Sequence, residues 1–118
     1  VAPFEELGKA SVANTAYRAA AKRWPGSAPL QFALGNTYYT SGDHQSAVTA
    51  YRRATELQPD SGVAHNNLAL ALAAQKKWDA AIHAAEAALQ CGGPFEEEFR
   101  DSLERIRKKR AAAAESGL

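Results

Sequence analysis

A spacing of 34 residues runs through the chain and constrains its fold more than any other feature of the sequence. Several residue types recur at this interval, namely Ala13, Ala47 and Ala81, then Ala20, Ala54 and Ala88, then Tyr17 and Tyr51, Pro25 and Pro59, and Leu34 and Leu68. A fixed period of this length predicts an array of short supersecondary units, each stable only when it packs on its neighbours.

The composition indicates what each unit contains. About a quarter of the residues are alanine, while valine and isoleucine are scarce. Alanine costs least in a helix and β-branched residues favour strands, so we expect an all-α fold. With 118 residues, 46% of them hydrophobic, the chain is long enough to bury a core. Breaker and capping residues, with Asp43 and Ser61 as N-caps, predict helices over 3–24, 29–40, 43–57, 62–75 and 78–90, and one from Pro94 onward.

Two stretches share one order of packing residues. They read Gln31-x-x-Leu34-Gly35-x-x-Tyr38 with Ala47, Tyr51, Ala54 and Pro59, and His65-x-x-Leu68-Ala69-x-x-Leu72 with Ala81, Ala85 and Ala88. This order resembles the tetratricopeptide repeat, whose unit is a pair of antiparallel helices. The resemblance implies a right-handed superhelical array. Its parts are a partial N-terminal repeat over 1–26 (second helix only), repeats over 27–60 and 61–93, and a capping helix with a tail over 94–118.

Both ends of the array have features of their own. An apolar stripe at helical spacing, formed by Phe95, Phe99, Leu103 and Ile106, predicts a helix that covers the last repeat. At the other end, Phe4, Leu7, Tyr17 and Trp24 are the predicted buried face of the first helix. The first helix of that unit is missing, so we expect uncovered apolar surface there. That surface would pack on the rest of a longer protein or on a second copy in a homodimer.

The resemblance implies a concave groove lined by the first helix of each repeat. The side chains expected in it are Phe32, Asn36, Tyr39, Asn66, Asn67, Leu70 and Arg100. Amides pair with the backbone of a peptide, and the larger apolar groups bury its side chains. We therefore expect a protein–protein interaction module that binds a peptide or a partner domain in this groove.

Two asparagines of the groove have a second interpretation. Asn36 and Asn67 match asparagines of the carboxylate clamp found in chaperone-binding members of the family. Phe32, however, stands at the position of a clamp lysine, and the last helix offers Glu and Asp where the clamp has basic residues. An acidic chaperone tail is therefore not the expected ligand. In such repeats asparagines also form hydrogen bonds between helices, and the sequence leaves both roles open.

Other kinds of function have little support in the sequence. The single cysteine, Cys91, ends a predicted helix, where the dipole disfavours a thiolate, and His44, His65 and His83 lie on separate helices without a ligand partner at i+3 or i+4. We expect no catalytic residue, no metal and no cofactor, with His44 and His83 in solvent. The net charge of +1 and the lack of a long apolar run argue against nucleic-acid binding and membrane insertion.

The sequence also leads to an expectation about the longer protein that contains it. Because methionine is absent even at position 1, we expect part of a longer protein, and no segment indicates a compartment. The stretches 15–20, 23–25 and 34–36 resemble the C-terminal repeats of bacterial proteins with an upstream papain-like cysteine-peptidase domain of the bacteriocin-processing type. This resemblance implies a non-catalytic accessory region. A structural or oligomerisation module that packs through its N-terminal end is the alternative.

Overall fold

The computed structural model of the chain is helical, and it describes residues 4–117, with side chains from residue 8. The helices are α1 (Phe4–Arg23), α2 (Ala28–Thr40), α3 (His44–Leu57), α4 (Gly62–Ala74), α5 (Trp78–Cys91) and α6 (Glu96–Glu115). No strand occurs in the described range, so the all-α prediction is confirmed. None of the helices described has the length and apolar character required to cross a membrane. The predicted contacts of Phe4 and Leu7 lie outside the described side chains.

The helices form two compact units that divide after Pro59. In the first unit, residues 1–59, α2 packs against both α1 and α3. In the second unit, residues 60–118, α5 packs against both α4 and α6, and α4 also touches α6. Each unit is thus built from antiparallel neighbours joined by short turns.

Short polar side chains start three of the helices. The cap oxygens of Ser27, Asp43 and Ser61 accept the backbone N–H groups of Leu30, Ser46 and Ala64 at 3.3, 3.1 and 3.2 Å, respectively. Each bond satisfies a donor that the first helical turn leaves without an intrahelical partner. The prediction of Asp43 and Ser61 as N-caps is confirmed, and Ser27 is a third cap of the same kind.

The crossing of α2 and α3 forms the core of the first unit. Tyr51, only 2% exposed, lies on the backbone of α2 at Gly35. A Cβ atom at Gly35 would stand 2.5 Å from both Cδ1 and Cε1 of the ring, so only glycine fits there without a shift of the ring. Ala47 and Ala54, on the same face of α3, are at most 1% exposed. The residues that recur in the repeat pattern therefore lie where these helices meet.

A hydrogen-bond chain joins α1 to α2. The Asn14 amide donates to the Thr37 hydroxyl at 2.9 Å, and that hydroxyl donates to the Leu34 carbonyl at 2.7 Å. Thr37 is buried, so each bond replaces contact with water that burial has removed. Trp24, predicted in the buried face of α1, is instead 56% exposed. It follows the last residue of α1, and the Arg23 guanidinium lies 5.2 Å from its ring centroid.

In the second unit, alanines occupy the close-contact positions of the helix crossing. The residues at the crossing of α4 and α5, namely Ala69, Ala81, Ala85 and Ala88, are all 0% exposed. Ala69 and Ala85 are the 34-residue counterparts of Gly35 and Tyr51. A small side chain on each helix therefore replaces the combination of a glycine and a large ring.

Helix α6 covers the second unit with Phe99, Leu103 and Ile106, all buried. The ring of Phe99 lies over the start of α4, where a Cβ atom at Gly62 would be 2.6 Å from Cε2. The prediction that the helix begins at Pro94 and buries Phe95 was wrong. Positive φ angles at the preceding Gly92 and Gly93 are followed by a turn through Pro94 and Phe95, so α6 begins at Glu96 and Phe95 is 51% exposed.

The Gly35 contact predicts opposite effects of one substitution at two helical glycines. Gly35→Ala should lower the free energy of unfolding by about 1–3 kcal/mol, because the added methyl group overlaps the Tyr51 ring. Gly8→Ala, in α1 with nothing within 4 Å of the new atom, should raise it by up to about 1 kcal/mol through helix propensity. Urea unfolding followed by circular dichroism measures both. Equal effects of the two substitutions would contradict the crossing.

The two phenylalanines at the start of α6 give a second matched pair. Phe99→Ala should cost about 3–5 kcal/mol, since it empties a buried site against Gly62. Phe95→Ala should cost less than about 1 kcal/mol, because half of its side chain is already in solvent. The same unfolding measurement applies, and a larger effect at Phe95 than at Phe99 would rule out this arrangement of the helix.

Candidate functional site

In the first unit, the predicted groove residues lie on α2. Phe32, Asn36 and Tyr39 are spaced i, i+4 and i+7, which places them on one face of the helix. Phe32 and Asn36 are half-buried, and Tyr39 is 37% exposed. Phe32 also contacts the core, with its ring centroid 5.8 Å from that of Tyr51. The face thus offers aromatic surface beside an amide.

Asn36 has a structural contact of its own. The Tyr51 hydroxyl of α3 donates to its Oδ1 atom at 2.5 Å. The bond fixes the orientation of the amide and ties α2 to α3 at the crossing over Gly35. Asn36 therefore forms an interhelix hydrogen bond, which is one of the two roles that the sequence left open.

Tyr39 packs against the first residue of α3. Its ring and that of His44 meet edge to face, with centroids 5.0 Å apart and an interplanar angle of 64°. His44 is half-buried, so the expectation that it lies in solvent was wrong. The reason is the tight turn between the helices, in which Gly42 has a φ of 86° and brings α3 back beside the last turn of α2.

In the second unit, the predicted residues lie on α4 and α6. Asn66, Asn67 and Leu70 are half-buried on α4. The Oδ1 atom of Asn66 is buried and has no hydrogen-bond partner within the described chain. Arg100 is exposed on α6 and pairs with Glu96 at 3.2 Å. Its surroundings are acidic, because the cleft of about 350 Å³ that it lines is completed by Glu97, Glu98, Asp101 and Glu104.

A cleft lies between α1 and α2 in the first unit, at the end of the array where the sequence analysis expected uncovered apolar surface. It has a volume of about 290 Å³. Its lining residues are Lys9, Ala10, Ala13 and Tyr17 from α1 with Ala33, Asn36, Thr37 and Thr40 from α2. The equivalence of α1 with later second helices, visible in the 34-residue period, is the signal for uncovered surface on α1, but it does not identify the lining residues of α2.

The other residues singled out in the sequence do not converge on a reactive site. Cys91 is exposed at the last residue of α5. No group of three or more potential metal ligands occurs among the described residues. Two arginines of α6 pair with acidic residues of α5. These pairs are Arg107 with Glu86 at 3.4 Å and Arg110 with Asp79 at 3.0 Å. Each of the four side chains is about half exposed or more.

Comparison with known proteins identifies the family. A family model described as tetratricopeptide repeat matches residues 4–61 and residues 32–95, and the chain therefore belongs to the tetratricopeptide repeat family. Its structure is similar to the crystal structure of the Sgt2 TPR domain from Aspergillus fumigatus, with a TM-score of 0.75 and 22% sequence identity. The match covers 99% of this chain and 87% of that one. The search of curated proteins gave no significant match.

The family defines the class of protein. Tetratricopeptide repeats are a non-catalytic fold, and they generally mediate protein–protein interaction. The likeness to the Sgt2 domain, at its level of identity, shows the fold alone.

The contact between Tyr51 and Asn36 can be measured by its coupling energy. Tyr51→Phe should lower the free energy of unfolding by about 1–2 kcal/mol, because it removes the donor and leaves the aromatic ring in place. In the Asn36→Ala background the same change should cost about 1 kcal/mol less. Chemical unfolding of the four proteins of this cycle gives the coupling. A coupling energy of zero would show that the bond contributes nothing to stability.

Proposed function

We propose that the chain is an interaction module that binds a protein or peptide partner through the faces of α2 and α4 described above. The observation that carries the proposal is Tyr39, a large aromatic side chain that remains 37% exposed between Asn36 and the edge of α3. Among the described residues, five large hydrophobic side chains are exposed, and Tyr39 is the one of these that was predicted to line the groove. Burial of such a ring under a ligand is a common source of binding energy.

The ligand contacts follow from the chemistry of each face. On α2, Tyr39 and the accessible part of Phe32 bury apolar side chains of the ligand. On α4, Leu70 adds apolar area, and Asn66 and Asn67 supply amides that pair with a peptide backbone. The buried Oδ1 atom of Asn66 supports this assignment, because an acceptor without a partner costs free energy that a ligand N–H would recover once the amide turns outward.

The charges of the second unit indicate which ligands are disfavoured. Glu97 and Asp101 lie exposed on α6, and Glu104 lines the same cleft. A strongly acidic peptide would meet these carboxylates, with only Arg100 to oppose them, and Arg100 already pairs with Glu96. Phe32 on α2 provides no positive charge in place of a clamp lysine. The proposed ligand is therefore neutral or basic and carries exposed apolar side chains.

The setting of the module is also a proposal. We take the repeat units to be 1–26, 27–60 and 61–93, with a capping helix and tail over 94–118. The module would serve a longer protein as its non-catalytic part. The stretches 15–20, 23–25 and 34–36, through their resemblance to repeats that follow a papain-like peptidase domain, support a bacterial parent of that type.

Peptide selection followed by titration tests the proposal. Peptides from a random display library are selected on the immobilised chain, and the best binder is titrated by calorimetry. Tyr39→Ala should weaken binding by about 1–3 kcal/mol, because the ring no longer covers the ligand. Asn67→Ala should weaken it by about 1 kcal/mol through the loss of a hydrogen bond.

The matched control is Trp24→Ala. Trp24 is a larger and more exposed aromatic outside both faces, and its removal should change the affinity by less than about 0.5 kcal/mol. If no peptide is selected, or if Trp24→Ala weakens binding while Tyr39→Ala does not, the proposed faces are not the binding surface. Circular dichroism melts of each variant separate a loss of binding from a loss of folding.

A further inference from the structure

The cleft between α1 and α2 in the first unit corresponds to the position that α4 occupies beside α5 and α6 in the second unit. Two repeat periods, 68 residues, relate α1 to α5 and α2 to α6, and each of these pairs packs together. In the second unit, α4 lies against α5 and also touches α6. The described residues of the first unit supply no helix at the corresponding place, and the cleft of about 290 Å³ opens there.

The side chains on that face of α1 are those that another helix buries elsewhere in the same unit. Ala13, Tyr17 and Ala20 repeat the residue types and the spacing of Ala47, Tyr51 and Ala54 on α3. On α3, under α2, these three are 0%, 2% and 1% exposed. On α1 all three are only half-buried, and Ala13 and Tyr17 line the cleft. This face of α1 therefore has the composition of a helix-packing surface that lacks its second layer.

The charges of the described part of α1, with Lys9 at the cleft itself, favour an acidic occupant. Between residues 8 and 23 all charged side chains are basic, namely Lys9, Arg18, Lys22 and Arg23. All four are exposed, and Lys9 lines the cleft itself. A helix docked here is favoured by carboxylates beside its apolar face, both for attraction and for rate of encounter.

We propose that this cleft binds an amphipathic α-helix of a partner protein. The helix presents a small residue to Tyr17, as Gly35 does to Tyr51, and carries acidic residues at the borders of its apolar stripe. The cleft shares Asn36 with the α2 face, but this proposal rests on Ala13, Tyr17 and Lys9 rather than on Tyr39 or α4.

The chain itself supplies the probe. A peptide with the sequence 27–41 contains α2, the helix that covers the matching face of α3, and includes its small residue at Gly35. Pro29→Glu and Thr40→Glu are introduced in the peptide at positions that are exposed in α2, and a chemical staple on the solvent side keeps it helical. A second peptide carries lysine at the same two positions. Each is labelled and titrated with the 118-residue chain by fluorescence anisotropy.

The acidic peptide should bind at least about tenfold more tightly than the lysine peptide at low salt, and added salt should reduce the difference. Ala13→Glu in the chain should weaken the acidic peptide by about tenfold or more, because it places a carboxylate and extra volume in the cleft. Thr15→Glu is the matched control, since it adds the same charge at an exposed position of α1 outside the cleft, and its effect should stay within about threefold.

Lys9→Glu keeps the test decisive if Ala13→Glu fails to fold. Lys9 is exposed, so its reversal should leave the melting temperature nearly unchanged. It should narrow or invert the preference for the acidic peptide. The proposal would be overturned if neither stapled peptide bound. It would also be overturned if the acidic peptide bound the parent chain, the Ala13→Glu variant and the Lys9→Glu variant with equal affinity. A dimer detected by light scattering and dissociated by Ala13→Glu would overturn it as well, because the occupant would then be a second copy.

Discussion

The contact between the Tyr51 ring and the backbone of Gly35 determines the geometry of the first unit. Because Gly35 has no side chain, the ring lies against α2 where any Cβ atom would overlap it. The ring fills the crossing, and its hydroxyl reaches Asn36 at 2.5 Å. Phe32, one turn earlier on α2, rests against the same ring at 5.8 Å. Two residues of the predicted groove are therefore positioned by one buried tyrosine, which links the stability of the unit to the shape of the proposed binding face.

The second unit solves the same packing problem without a large ring. Its crossing residues are alanines, which allow α4 and α5 to approach closely but bury little area per side chain. The larger buried apolar groups come from Leu68 and Leu72 of α4 and from α6, whose Phe99 lies over Gly62 at the start of α4. Phe99, Leu103 and Ile106 are at most 5% exposed. We infer that α6 contributes much of the stability of this unit, as expected of a helix that ends an array.

The parts of the structure that the sequence predicted depend on local or periodic rules. Helix propensity and the 34-residue period predicted the helices, and the preference of short polar residues for helix starts predicted the caps at Asp43 and Ser61. The errors have tertiary causes. Phe95 fits a helical stripe by spacing, but two consecutive glycines with positive φ delay the start of α6. His44 is polar, but a tight turn packs it on Tyr39.

The candidate site was less accessible to sequence reasoning than the fold. Spacing placed Phe32, Asn36 and Tyr39 on one helix face, yet only the structure shows that Tyr51 donates to Asn36. The sequence predicted uncovered surface at the N-terminal end, but the cleft and its lining residues on α2 required the structure, because a sequence pattern does not record the space between helices. The repeated Ala, Tyr, Ala spacing of α1 and α3 gains meaning once the two helices are seen to differ in what covers them.

Nuclear magnetic resonance of the folded chain tests the central contact most directly. If the Tyr51 ring lies on Gly35, the Gly35 α-protons are in its shielding region. They should resonate well upfield of ordinary helical glycine and give strong nuclear Overhauser effects to the Tyr51 δ and ε protons. The Gly8 α-protons, with no ring nearby, serve as the internal reference. Gly35 α-protons at ordinary shifts, without Overhauser contacts to Tyr51, would contradict the packing on which this account of both fold and binding face rests.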